Sequence, residues 1–111
     1  MCASAHNVRL LFRRGALLLR RGNGFAREAA PRSAFGHAMA AAGVLEAIVA
    51  AQTCATGIVP PTVNLRHVDE GCELDHVIGE PRDVNAKTVL SVSFGMGGQN
   101  AAVILSRGLD G

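Results

Sequence analysis

Residues 88 to 106 read Thr88-Val89-Leu90-Ser91-Val92-Ser93-Phe94, then Gly95-Met96-Gly97-Gly98-Gln99-Asn100, then Ala101-Ala102-Val103-Ile104-Leu105-Ser106. Thr88 to Phe94 alternates and is β-branched, which marks a strand, and Ala101 to Ser106 is a second short apolar strand. Two strands joined by a short glycine-rich turn predict an antiparallel pair. The glycines have the composition of a phosphate cradle, but nucleotide-binding loops open a helix, and here a strand follows. A tight turn needing positive φ accounts for them.

Upstream of this pair, His37 to Thr56 is Ala-rich, with Val44, Leu45, Ile48 and Val49 spaced on a broad helical face and Gly57 placed as a helix-ending αL residue. The pattern predicts a buried helix. Gly36 before it and Gly43 within it cost helix propensity, so each is expected to let another backbone come close. Pro60-Pro61 forbids further helix, and Thr62 to Leu65 is expected to run extended. His67 to Asp83 is acidic and broken by Gly71, Gly79 and Pro81, as in a surface loop holding at most a short strand. The fold class expected is α/β, a buried Ala-rich helix packed on a terminal antiparallel strand pair.

The chain of 111 residues is long enough for one small domain. Its only aromatic residues are four Phe, so a core must be assembled from Ala, Val, Leu and Ile. Charge is unevenly placed. Residues 1 to 32 hold seven Arg against Glu28 alone, and residues 33 to 111 hold four basic residues against eight acidic ones. Residues 1 to 31 show no clean period, and the expectation is an Arg-rich disordered segment, with residues 32 to 111 forming the folded unit. A transit peptide or a nucleic-acid patch is a rarer outcome for such a block than a solvated tail. No apolar run is read as reaching the 18 or so residues that span a bilayer, and neither a membrane span nor a nucleic-acid partner is expected.

Cys2, Cys54 and Cys72 form an odd, widely spaced set without a CxxC, which points to a reducing compartment and, by default, the cytoplasm. A reactive thiolate wants positive charge or a helix N-terminus nearby. Cys54 sits near a helix C-terminus and Cys72 between Glu70 and Glu73 in sequence order, so Cys54 is read as core and Cys72 as loop. His67, Cys72 and His76 lack a fourth partner for a structural zinc site, so no metal and no cofactor are assigned.

Four segments follow one another in a familiar order, of which Ser33-Ala34-Phe35-Gly36-His37, Ala41-Ala42-Gly43 and Glu46 make up the first, and it resembles the K-S-x-x-G-H-x-x-x-A-A-G-x-x-E of the β-ketoacyl-ACP synthase family. Val59-Pro60-Pro61-Thr62-Val63-Asn64-Leu65 is similar to its I/V-P-P-T-x-N-L segment, and Asp69 to Asp75 to its D-x-x-C-x-L-D loop. Ser93-Phe94-Gly95-Met96-Gly97-Gly98-Gln99-Asn100 is similar to the terminal S-F-G-F-G-G-x-N. The likeness covers about Ser33 to Arg107, with residues 1 to 31 outside it. Arg32 stands where the family has Lys, and Met96 replaces the second Phe of the turn.

The resemblance implies the C-terminal portion of a thiolase-like fold. In that family a Cys thiolate takes an acyl group from acyl carrier protein, and histidines promote decarboxylation of malonyl-ACP so that the carbanion attacks the thioester. It implies His37 as a catalytic histidine, Phe94, Gly95, Met96 and Gly97 as the oxyanion and gating turn, and Arg32, Glu46 and Asn100 in support. Imidazole donors beside a thioester oxygen can stabilise the enolate. A helix start at His37 would favour the neutral ring. The partners implied are acyl carrier protein carrying acyl or malonyl thioesters and, once the missing half completes the fold, a second subunit in a homo- or heterodimer. The nucleophilic Cys region precedes the G-H motif in the family, and residues 1 to 31 contain nothing like it. The chain is therefore expected to be a fragment of a 3-oxoacyl-ACP synthase, inactive alone. The other reading is a non-catalytic, chain-length-factor-like partner subunit.

Overall fold

A computed structural model describes residues 16–21, 24–70 and 74–108. The hairpin at the C-terminal end is as expected: β5 (Thr88–Phe94) pairs antiparallel with β6 (Asn100–Ser106), in one unbroken register from Thr88 opposite Ser106 to Phe94 opposite Asn100. Gly95 N–H donates to Gln99 O at 2.7 Å and closes the turn between them.

The pair does not stand alone. β1 (Ala16–Arg21) adds antiparallel to β5, and β2 (Gly24–Ala29) to β1, giving a four-stranded sheet in the order β2-β1-β5-β6. This corrects the expectation of a disordered segment over residues 1 to 31 as far as residues 16–21 and 24–29 are concerned. Strand formation here follows from an open backbone edge on β5, a tertiary opportunity that outweighs a weak local pattern. Residues 1–15 and Cys72 lie outside the described residues.

A four-residue helix α1 (Arg32–Phe35) and a 3-10 turn (Met39–Ala41) lead into α2 (Ala42–Thr56). The helix expected from His37 thus begins five residues later. Gly36 at φ 83° and Met39 at φ 50° break any continuous helix there. At the other end Gly57 is the expected αL cap, φ 79°, its N–H donating to Thr53 O at 2.8 Å.

α2 buries one stripe, Ala42, Glu46, Ala50, Thr53 and Cys54, against β5 and β6. Val44 and Ile48, expected on the buried face, are exposed instead. Small side chains face the sheet because they let the helix axis approach closely. Gly43 shows the same at its tightest, since a Cβ there would lie 3.3 Å from Ser93 Oγ. The approaching group is a side chain, not the backbone expected, and at Gly36 nothing approaches at all.

Met39–Thr56 is 18 residues with mean hydropathy 1.4, so by length and composition it could cross a membrane, contrary to the sequence reading. Its buried Glu46 and its packing along β5 are those of a core helix.

After Gly57, β3 (Ile58–Val59) pairs with β4 (Arg82–Asp83) as a short antiparallel ribbon. Thr62 to Leu65 turns instead of running extended, with Asn64 at φ 65° and Leu65 N–H donating to Thr62 O. Two prolines prevent a helix but do not enforce a strand, and among the described residues no strand pairs with this segment.

The core cluster is Ala29, Ala50, Cys54, Val59, Val77, Ala86 and Val89, with Val49, Val84 and Leu105 against it. It is built of small aliphatic side chains, as the composition requires. On α2, Thr53 Oγ1 is buried with no hydrogen-bond partner among the described residues. A lone buried hydroxyl costs about 1 to 3 kcal/mol. Thr53→Val, which keeps the shape and removes the hydroxyl, is expected to raise stability by about 1 kcal/mol in urea unfolding. A loss of stability would show that the hydroxyl is satisfied.

Candidate active site

The loop carrying His37 is tied down on its N-terminal side. Ser33 Oγ donates to Ala30 O at 2.7 Å and accepts from Val63 N–H at 2.7 Å, and Thr62 Oγ1 accepts from Ala30 N–H at 3.0 Å. Two sequence motifs that looked separate, the one before Gly36 and the one after Pro61, are thereby one hydrogen-bonded unit. Thr62 was not singled out from sequence, and hydroxyls at motif positions were the only signal available.

On the opposite side stands the turn after β5. Between them lies an open cleft of about 720 Å³. Arg32, His37, Glu46, Phe94, Gly95, Met96 and Asn100 all line it, although they come from four separate parts of the chain. Gly97, expected with the turn, belongs to it but does not line the cleft. His37 is exposed and precedes the 3-10 turn, so no α-helix begins at its ring. Met96 is 97% exposed, leaving the mouth of the cleft uncovered on that side.

The floor of the cleft is polar. Glu46 is only 2% exposed, and Ser93 Oγ donates to Glu46 Oε2 at 3.0 Å. Ser93 is thus a lining residue that sequence reasoning quoted within a motif without assigning it a task. Burial raises the Glu46 carboxyl above its usual 4.5, while the Ser93 hydrogen bond and the Arg32 charge pull it partly back.

A raised folded value has a definite sign. The unfolded chain gives up this proton more readily, so Glu46's contribution to stability is full below about pH 4.5 and is lost as pH rises through the folded value. Glu46→Gln should flatten that part of the stability profile measured by urea unfolding across pH. An unchanged slope would remove Glu46 as its source.

Cys54 lies outside the cleft, in the core as expected, with its Sγ donating to Leu105 O at 3.4 Å. Its thiol is pushed up chiefly by burial, against smaller downward pulls from a Val89 backbone hydrogen bond and the Arg107 charge. The direction agrees with the sequence reading, but burial and not the helix end is the cause.

Residues 20–66 match the model of the β-ketoacyl synthase C-terminal domain. The match begins inside the segment that the sequence reading left out of the resemblance. Over 79 residues the chain is 44% identical to 3-oxoacyl-[acyl-carrier-protein] synthase 2 of Coxiella burnetii, covering 71% of this chain and 19% of that protein. It is 41% identical over 78 residues to the protein of the same name from Mycobacterium tuberculosis, covering 70% of this chain and 19% of the relative. It is 40% identical over 76 residues to the tetracenomycin polyketide synthase ketoacyl synthase alpha subunit of Streptomyces glaucescens, covering 68% of this chain and 18% of the relative. These matches support a C-terminal part of a β-ketoacyl synthase, and the chain spans 19% of the length of the first two relatives.

Proposed function

We propose that this chain is a fragment of a 3-oxoacyl-[acyl-carrier-protein] synthase, within the thiolase-like fold, that supplies the enolate-stabilising side of a condensing site in fatty acid or polyketide synthesis. The observation that carries the reading is the convergence of His37, the Gly95-Met96 turn and Glu46 on one cleft.

In the reaction, the bond between the malonyl carboxylate and the α-carbon breaks, and its electron pair passes onto the thioester oxygen as carbon dioxide leaves. The α-carbon then attacks an acyl thioester, a carbon–carbon bond forms, and the thiolate departs. His37 is the donor at the enolate oxygen, and the Met96 backbone N–H is the donor at the acyl oxygen. Glu46, held by Ser93, and Arg32 set the field beneath His37. Phe94 and Met96 gate the acyl pocket, and Asn100 holds the far end of the turn.

The acyl group is held on a cysteine outside these residues, and acyl carrier protein delivers both thioesters in the cytoplasm. A histidine in the cleft favours this reading over a non-catalytic, chain-length-factor-like subunit. The direct test supplies the preceding part of a 3-oxoacyl-ACP synthase in trans and follows β-ketoacyl-ACP and carbon dioxide. Turnover that depends on His37 supports the proposal, and complex formation without turnover supports the non-catalytic subunit.

A further inference from the structure

Arg32 belongs to two clefts. Besides the one holding His37, it lines a second of about 500 Å³, where Ala30 and Ser33 stand against the segment Thr62 to Leu65. No other residue lines both. The second cleft is cross-braced: Val63 N–H donates to Ser33 Oγ at 2.7 Å, Ala30 N–H to Thr62 Oγ1 at 3.0 Å, and Thr62 N–H to Val77 O at 2.8 Å. Its shape is therefore set before anything binds, which removes an ordering cost from binding.

The polar groups left over in it are chiefly donors. Arg32 is half-buried, and its guanidinium donates a hydrogen bond to no described residue. The Glu46 carboxyl that feels its charge is engaged by Ser93 in the first cleft. Thr62 Oγ1 accepts from Ala30 N–H, and its own hydrogen has no acceptor among the described residues. Asn64 is exposed at the turn, held at φ 65°, and its amide makes no hydrogen bond to a described residue. Among the described residues no Asp or Glu lines this cleft. A partly buried cation loses hydration that only an opposite charge returns. Two N–H groups of the guanidinium fork, the Thr62 hydroxyl and the Asn64 amide make four donors, and a carboxylate offers about four lone-pair sites. A phosphate dianion, with three strong acceptor oxygens, needs more donors than these. Beside them lie two apolar side chains, Leu65, half-buried, and Val63, 39% exposed.

We propose that the second cleft binds a small organic carboxylate: Arg32 takes the head group in a bidentate fork, Thr62 and Asn64 donate to it, and Val63 and Leu65 cover a short apolar tail. The site is separate from the condensing reading. Neither its ligand nor its readout involves turnover, so either proposal can fail without the other.

The test titrates the full chain with hexanoate at neutral pH and follows binding by isothermal calorimetry. Saturable binding is expected, with hexan-1-ol and acetate at least about tenfold weaker, since one lacks the head group and the other the tail. Arg32→Lys keeps the charge without the fork and should weaken hexanoate at least about tenfold. Asn64→Gly removes the amide at a positive φ that glycine adopts freely, and should weaken it several-fold. Val63→Asp sets a carboxylate on the wall and should abolish binding, with an unchanged circular dichroism spectrum because the position is exposed. Ala101→Asp sets the same charge in the first cleft and should leave binding as it is. No binding at the highest soluble hexanoate overturns the proposal, as does an Arg32→Lys chain that binds equally well. Equal losses on Ala101→Asp and Val63→Asp would put the ligand beside His37 and also overturn it. Hexan-1-ol binding as tightly as hexanoate would reveal apolar contact alone, and hexyl phosphate binding more tightly would reveal a phosphate site; either result overturns the assignment.

Discussion

Incubated with acyl-ACP and malonyl-ACP, the 111-residue chain is expected to release no β-ketoacyl-ACP. The cleft brings together a histidine and a glycine-rich turn, yet among the described residues none that lines it is a cysteine. Cys54, the buried free thiol, packs in the core with its acidity suppressed by burial. Condensation needs the acyl group fixed beside the carbanion, and such fixation supplies roughly 7 to 11 kcal/mol of a barrier. No arrangement of His37 and Met96 replaces a term of that size, because donors stabilise charge but do not raise the local concentration of an electrophile. Joined to the preceding part of a family member, the chain should regain turnover and lose it again with His37→Ala. Turnover by the chain alone, abolished by His37→Ala, would show that it holds a complete site and is no fragment.

Val89→Ala is expected to be the most damaging conservative change in the sheet, costing about 2 to 3 kcal/mol through lost transfer energy and a residual cavity. Val89 is 0% exposed, central in the core cluster, and sits on the strand that both β1 and β6 pair with. The buried members of its cluster are Ala, Val and Cys, short side chains that can fill little of the space left behind, and Leu105 opposite it on β6 is held in the sheet register. For a domain of this size the loss corresponds to a fall in Tm of about 10 °C or more. Val103→Ala, 49% exposed on β6, is the control and should change stability by less than about 0.5 kcal/mol. Equal effects at the two positions would mean that the core is not organised around β5.

The low bulk of this core connects composition to assembly. Among the described residues the largest fully buried side chains are Val59, Val77, Val89 and Thr53, and burying each of them gains little. Meanwhile Val44 and Ile48 on α2 and Val103 and Ile104 on β6 remain exposed. Apolar surface of this kind is characteristic of an element that another surface covers.

Sequence alone determined the features that depend on neighbours along the chain. Alternation over Thr88 to Phe94 and the glycines that follow specify a strand and a tight turn, because side-chain period and backbone φ are local properties. Gly57 ends α2 for the same reason, and the four ordered motifs identified the family. What only the tertiary structure decided are contacts between distant positions. Ala30 meets Thr62 across 32 positions and Ser93 meets Glu46 across 47, and neither pairing has a periodic signal. β1 is a strand because β5 presents it an edge, and β2 because β1 in turn does, although their own sequences carry little alternation. His37 stands ahead of α2 and not at its first turn because Gly36 and Met39 adopt positive φ, and an alanine-rich run that would continue as helix in isolation is started late by that geometry.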